Sequence, residues 1–520
     1  MSKVSRALIP CLLLLSLLVV TGCGGGAGGS SAGGSTTLRT ALTADPAPLD
    51  PDTYYEAQAL PITNGVYEGL VTYADNSPKI VPQLATKWTI SPDGKTYTFD
   101  LRKGVEFSDG HTFDAAAAKA SFERRTGLEG GPSYMLAEVG SMEAKGMTFV
   151  VHLKKPQAAF MDYLASPYSP KMTDPAAVAA HRTSSDPYAA KWIGSHSAGT
   201  GPYMLGSITP GSSYELTYNP KYWGAKPHFT TVIFNVVPNV ATQRLEVESG
   251  QLDLIFDDVN PRDLEAMEAG SKVQVKYFPA LYKTSIWVNP SSKIFSSPSV
   301  RAALRAALDN ETLTKEILGP SQTPSTEVYP PGMLPKGAAP DEPEYDPAKL
   351  KTALAPFKGQ PVTVGYYQDE GAMEALADHL QVQLQELGLE ATTRAYPPAQ
   401  LFGLPTHASQ RPDLMAAAFN PDAVAPDTFA RIYWYKEAPV NLLGCSVPKA
   451  DSLLDEAAVK PTSKSAEPLN VKAAEAYRES NCWLNIADGK DVAVARPGLT
   501  GFQHELPWVL AVRLSALKEE

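Results

Sequence analysis

Only one stretch of this 520-residue chain is apolar enough to leave water, and it ends at residue 20. Ala7 to Val20 is almost wholly apolar, broken by Pro10 and Ser16, and it follows the positive charges of Lys3 and Arg6. A helix that crosses a bilayer needs about 20 such residues. The run therefore has the length of a secretory leader rather than of a membrane span. No later segment is long and apolar enough to cross. Everything after the leader is expected to bury its apolar residues against itself, in water outside the cytoplasm.

The leader closes on Val20-Thr21-Gly22-Cys23. An aliphatic residue, two small residues and a cysteine resemble a lipoprotein cleavage box. That likeness implies removal of residues 1–22 and a lipid on the sulfur of Cys23; the alternative is an ordinary leader with a coincidental cysteine. Gly24 to Thr37 is nearly all Gly, Ser, Ala and Thr, and such a coil spans roughly 20 Å. Residues 23–37 thus read as a tether, and two or more acyl chains, at ~0.8 kcal/mol per buried CH₂, anchor stably. The expected location is the outer face of the cell membrane, with the protein anchored to the bilayer but not inserted in it.

From about Leu38 the chain reads as globular, because 43% hydrophobic and 19% charged residues carry no signature of disorder. At about 150 residues per domain the length suggests three domains or subdomains. A net charge of −11 argues against nucleic acid as a partner. Cys11 leaves with the leader and Cys23 takes the lipid, which leaves Cys445 and Cys482. Two thiols outside the cytoplasm often pair; two separate buried cysteines is the other reading.

Strand and helix periods alternate along the body. Tyr97, Phe99 and Leu101 alternate with polar residues, as do Phe149, Val151 and Leu153, so both stretches are expected to be strands. Between them Thr112 is a candidate cap for a helix through Ala115 to Arg124. Thr231 to Val237 reads as a buried strand. Val300, Leu304 and Leu308 share a helix face behind Pro298. Val362 to Tyr366, the stripe Leu376, Leu380, Leu384 and Leu387 ended by Gly388, and Leu389 to Tyr396 together have the size of a βαβ unit.

Catalytic motifs fail on context. Gly29-Ser30-Ser31-Ala32-Gly33 has the G-x-S-x-G spacing but lies in the tether, whereas a nucleophile elbow needs a strand before it and a helix after it. Gly199-Thr200-Gly201 begins a dinucleotide-like string that Met204 interrupts. There is no HExxH, CxxC or P-loop lysine motif, and the eight histidines include no i, i+4 pair. No cofactor or metal is expected. An exported hydrolase with a dispersed site remains the competing class, since a triad can be assembled from distant residues.

One block is far more specific. Leu84-Ala85-Thr86-Lys87-Trp88 leads into Ser91-Pro92-Asp93-Gly94-Lys95-Thr96-Tyr97-Thr98-Phe99-Asp100-Leu101-Arg102-Lys103-Gly104-Val105, then Glu106-Phe107-Ser108-Asp109-Gly110. It resembles the signature of the family 5 extracellular solute-binding proteins, the peptide, oligopeptide and nickel binders of ABC importers. Other blocks follow in the family's order: Asn64 to Val71, Gly199-Thr200-Gly201-Pro202-Tyr203, Asn219-Pro220-Lys221-Tyr222-Trp223, Glu248 to Asp253, Val300 to Leu304 with Asp309, Tyr329 to Met333, and Tyr345-Asp346-Pro347.

The resemblance implies an α/β, two-lobed periplasmic-binding-protein fold of type II, with mixed sheets and a ligand cleft between the lobes. Lobe I is expected at 38–280 plus 486–520, with an extra subdomain within about 82–193, and lobe II at 281–485. The implied function is capture of a di- or oligopeptide for an ABC permease and its ATPase, by a monomer that is not an enzyme. Nickel chelate, haem and oligosaccharide are the alternative cargoes within the family. The dipeptide-binding members use G-W-T-G-D-x-x-D-P-D-N-F, whose first aspartate takes the peptide α-ammonium. The corresponding run is Ala418-Phe419-Asn420-Pro421-Asp422-Ala423-Val424-Ala425-Pro426-Asp427-Thr428-Phe429. Asp422 falls on that position, although Phe419 stands for the tryptophan and Ala425 for an acid. The alternative for Asp422 is a turn cap after Pro421. Phe419, Asn420 and Trp434, the last within the cluster Tyr433-Trp434-Tyr435, are the further candidate ligand contacts, with core packing the other reading for Phe419 and core or interface for the aromatic cluster. Arg394 and Arg411 match no motif and read better as surface residues than as partners of a ligand carboxylate. Cys445 lies in a segment where the family often has a bridging cysteine, and Cys482 is the one partner left to it.

Overall fold

The computed structural model describes residues 36–256, 261–368, 370–509 and 511–520; the leader, Cys23 and most of the tether lie outside the described residues. Two long strands, Gln274–Val288 and Trp483–Ala495, organise the molecule. They pair antiparallel along their lengths, with the register shifting between Pro279 and Lys283. Their apolar residues go to two different cores. Phe278, Ala493 and Ala495 pack with Leu38, Leu216 and Phe234. Ile286, Val288 and Leu484 pack with Leu304, Val364 and Leu380. The pair thus crosses from one lobe to the other. At the shift, the buried ammonium of Lys283 pairs with Asp488 and donates to Ser325 Oγ at 2.8 Å and to the Glu327 carbonyl at 2.9 Å.

Two four-stranded sheets are built from residues that precede the first crossing strand. In one, Thr37–Leu42 runs parallel to Thr231–Val236, followed by Ser213–Tyr218 and Tyr203–Thr209. The buried strand expected over Thr231 to Val237 forms at Thr231–Val236 and is fully buried on one face only. Val232 and Phe234 are fully buried while their neighbours stay partly exposed, because one face of this mixed sheet lies on the core and the other meets solvent.

The other sheet orders Ala85–Ile90, Thr96–Leu101, Thr148–Leu153 and Val139–Lys145. Here the alternation of Tyr97, Phe99 and Leu101 puts all three side chains inside. The preceding turn closes on Gly94, at φ +68°, with its N–H donating to the Ser91 carbonyl at 2.8 Å. The helix between the strands is Ala115–Leu128, and its cap is Asp114 rather than Thr112: the Asp114 carboxylate accepts the Ala117 N–H at 2.9 Å, while Thr112 is taken by a bridge to Glu106.

In the second lobe Leu414–Phe419 lies between the crossing strand Gln274–Val288 and Pro361–Tyr367, and Glu390–Tyr396 completes the edge. Pro361–Tyr367 and Glu390–Tyr396 are parallel, joined by the helix Gly371–Glu386. That helix buries Met373, Leu376, Ala377, Leu380 and Leu384. Each such leucine contributes about 1.5–3 kcal/mol of burial, and Gly388, at φ +91°, allows the reversal that follows. Cys445 and Cys482 are joined as a disulfide, Cα atoms 6.3 Å apart, tying the loop after the aromatic cluster to the start of the second crossing strand. Among the described residues no helix is long and apolar enough to cross a membrane.

Candidate functional site

Leu414–Phe419 is a central strand of the second-lobe sheet, so the residues just past its end emerge at a fixed place. Phe419 stacks on Tyr433 with ring centroids 4.8 Å apart and leans on Trp287 at 5.4 Å. The Tyr433 hydroxyl donates to the Asn420 carbonyl at 2.7 Å, holding the loop against the helix Pro426–Tyr433. Pro421 then directs Asp422 toward the first lobe.

The Asp422 side chain does not cap its own turn. Its Oδ2 accepts the hydroxyls of Tyr55 and Tyr134, the latter at 2.5 Å, and both come from the first lobe. Ser166 Oγ donates to the Asp422 carbonyl at 2.6 Å, and the Val424 N–H donates to the Tyr73 hydroxyl at 3.1 Å. Tyr168 packs edge-on against Tyr55, centroids 4.9 Å apart. Ala423 and Ala425 join Met135, Ala159 and Tyr163 in one apolar cluster. Asp422 is therefore buried where the two lobes meet.

Its electrostatics are unusual for a buried acid. Burial pushes the Asp422 carboxyl above the ordinary carboxylate range, and the hydroxyls of Tyr134 and Tyr55 draw it only part of the way back. Among the described residues no cation lies within ion-pair distance of it, and no donor reaches Oδ1. A buried charge without a partner is costly, so the open lone pairs on Oδ1 are a place for a cationic donor that arrives from outside.

One arginine braces the backbone near the first-lobe tyrosines. Arg125 is wholly buried on the helix Ala115–Leu128. Its guanidinium donates to Asp52 at 2.5 Å and to the carbonyls of Pro51 at 3.1 Å, Tyr168 at 2.8 Å and Ser169 at 3.0 Å, with a longer contact to Pro132 at 3.5 Å. Those carbonyls flank Tyr55, Tyr134 and Tyr168 in the chain. Arg124 beside it binds Asp50 and Asp52.

Trp434 goes elsewhere. It is 1% exposed and surrounded by Tyr329, Phe429, Tyr477 and Trp483, so it is a core residue with no face left for a ligand, and its neighbour Tyr433 turns to the loop instead. Arg411 spends its guanidinium on the carbonyls of Leu404, Pro405 and Leu443. Arg394 lies over the Tyr396 ring. The sequence reading missed Tyr55, Tyr134, Ser166 and Tyr168, which sit in no recognisable motif. Away from this site, His111 Nδ1 lies 2.8 Å from Asp109 and 3.0 Å from Asp174. Asp174 and Asp109 keep that imidazole protonated to higher pH, so an ion pair accounts for the cluster.

Comparison with known proteins agrees with this architecture. The profile of the bacterial extracellular solute-binding proteins, family 5 Middle, matches residues 79–441. The chain is 27% identical over 408 residues to the "Probable D,D-dipeptide-binding periplasmic protein DdpA" of Escherichia coli K12, covering 77% of this chain and 78% of that one. It is 30% identical over 356 residues to the glutathione-binding protein GsiB of Salmonella paratyphi A, 67% of each chain. Two solved structures share the fold: NikA from Brucella suis in complex with Fe(III)-EDTA (TM-score 0.81, 21% identity, 93% of this chain and 100% of that one) and DppA from Helicobacter pylori in complex with the peptide STSA (TM-score 0.76, 23% identity, 93% and 98%).

Proposed function

The chain belongs to family 5 of the bacterial extracellular solute-binding proteins, and we propose that its cargo is a small peptide held by its free α-ammonium group at Asp422. The observation that carries this reading is a carboxylate without a countercharge: Asp422 is buried between the lobes, and among the described residues its side chain takes only the hydroxyls of Tyr55 and Tyr134, with no donor on Oδ1. A zwitterion's ammonium supplies the missing charge as the cleft excludes water. Phe419 and Asn420, beside Asp422 in the loop, are the further contacts in this reading, with Tyr55 and Tyr134 reaching Asp422 from the first lobe. The names of two relatives, a dipeptide binder and a glutathione binder, favour an amine-bearing cargo.

In this reading lobe I comprises residues 38–280 and 486–520, with the subdomain within 82–193, and lobe II residues 281–485. The lobes close on the peptide about the crossing strands, and the closed monomer delivers it to an ABC permease driven by a partner ATPase. The protein stays at the membrane through acyl chains on Cys23, with residues 24–37 as the tether.

Mass spectrometry of the protein extracted from its own host tests both parts. The expected intact mass begins at Cys23 and includes its acyl chains, and the expected native-state spectrum shows a ladder of retained peptide masses. An unmodified N-terminus would contradict the anchor. A retained sugar or metal chelate in place of peptides would contradict the cargo.

A further inference from the structure

Asp162 takes no part in the site above, yet it is a buried acid at the junction of the lobes. It lies on the helix Phe160–Ala165 and is 7% exposed. Its Oδ1 accepts the Tyr73 hydroxyl at 3.0 Å, and the oxygen of that hydroxyl accepts the N–H of Val424 at 3.1 Å. Its Oδ2 lies 3.1 Å from Ser463 Oγ, which is also 2.9 Å from the Ala158 carbonyl. One more bond runs alongside, from the Ala158 N–H to the Ala458 carbonyl at 2.9 Å. Tyr73, Ala158 and Asp162 precede the first crossing strand; Val424, Ala458 and Ser463 lie between the two crossing strands in the chain. Every link in this chain of bonds other than Tyr73 to Asp162 therefore joins one lobe to the other. It borders a cavity of about 510 Å³ lined by both lobes.

Counting protons shows which form of Asp162 the network suits. The Ser463 hydroxyl has one hydrogen and faces two acceptors, of which the Ala158 carbonyl is the nearer. If the carboxyl is protonated, its O–H donates to Ser463 Oγ, Ser463 donates to Ala158, Tyr73 donates to Oδ1, and Val424 donates to Tyr73. Each donor then has an acceptor. If the carboxyl is ionised, a buried negative charge is left with hydroxyls alone. Burial pushes the group up to about 6, with Tyr73 and Ser463 opposing.

We propose that Asp162 is a positioning residue of the closed state: in its protonated form it latches lobe to lobe, and through Tyr73 it holds the Val424 backbone two residues beyond Asp422. This inference rests on the lobe-closing reading above, but it does not depend on what the cargo is. It also fixes the sign of a pH effect. Opening returns the carboxyl toward its ordinary value near 3.8. The closed state thus binds this proton more tightly, and acid favours closure. Between pH 5 and pH 7.5 the closed-to-open ratio of the ligand-free protein should change roughly tenfold on this account. Tyr73 and Tyr97 feel the carboxylate. Lys464, Glu467 and Asp427 line the same cavity, the last paired with Arg431.

Single-molecule energy transfer between dyes on the two lobes of the ligand-free protein tests the latch without any cargo. Asp162→Asn should remain closed at both pH values, because its amide reproduces the protonated carboxyl: Nδ2 donates to Ser463 and Oδ1 accepts from Tyr73. Ser463→Ala, a mild change at the start of a helix, should lower the closed population at both pH values by roughly fivefold or more. A wild-type protein with no closed population would overturn the latch. So would an Asp162→Asn variant with the wild-type pH response, or a Ser463→Ala variant as closed as wild type. Loss of peptide binding with an intact latch response would count against the cargo alone.

Discussion

Replacing Asp422 by asparagine is expected to weaken capture of a free-amine peptide by roughly 30- to several thousand-fold, the ~2–5 kcal/mol at stake when one member of a buried charge pair is removed. The ligand-free protein should not be destabilised in parallel. Asparagine keeps an acceptor for Tyr55 and Tyr134 and removes a buried charge that no cation among the described residues offsets. Its unfolding midpoint should therefore stay level or rise, which separates loss of a ligand contact from loss of fold. The pH dependence follows from the same geometry. The bound ammonium favours the ionised carboxylate, so Asp422 titrates lower in the complex than in the empty cleft. Affinity is then full above the raised value of the empty protein and falls as the pH drops through it. This trend runs opposite to that expected of Asp162, and Asp422→Asn should abolish it. Isothermal titration calorimetry across the acid range reads both affinity and sign.

Arg125→Ala should be the most damaging single change outside the cleft. The side chain is wholly buried and holds one carboxylate and three carbonyls at good distance. Its removal leaves the three carbonyls without that donor and leaves Asp52 with Arg124 alone. Breaking a buried pair in this way costs about 3–5 kcal/mol, read as a fall of several degrees in the melting midpoint. Peptide affinity should fall as well, since Tyr55, Tyr134 and Tyr168 lose their common support. Arg125→Lys should fall between wild type and alanine: it restores the charge but not the planar fork that reaches several acceptors at once. Equal stability of the alanine variant and wild type, by denaturant titration, would remove Arg125 from its role as organiser.

The parts of this fold that the sequence made legible are those governed by local periodicity. Tyr97, Phe99 and Leu101 announced a half-buried strand, and the leucine stripe ended by Gly388 announced the helix of a parallel βαβ unit. Where local signals competed, the reading slipped by a residue or two: Asp114 lies nearer the helix than Thr112 and takes the cap. The strand at 231–236 looked continuous in burial because β-branched residues populate both faces of a sheet.

Asp422 could be singled out because its run resembles the motif whose first aspartate takes the peptide α-ammonium in dipeptide-binding members. Its tyrosine partners could not. Tyr55 and Tyr134 are 367 and 288 residues away in the chain, and contacts over such separations leave no mark in local side-chain patterning. Trp434 shows the converse. Consecutive residues at a helix end point about 100° apart, so an aromatic pair does not say which ring turns inward, and here the core took Trp434 and left Tyr433 to the loop.

The central claim is that the cleft reads a free α-ammonium at Asp422. The most direct measurement is a calorimetric titration of the ligand-free mature protein with a peptide identified from its co-purifying pool and with the same peptide N-acetylated. Acetylation removes the charge and keeps the rest of the ligand. The account predicts that the acetylated peptide binds wild type at least 30-fold more weakly, and that Asp422→Asn discriminates little between the two. Equal affinity of wild type for both forms would contradict it.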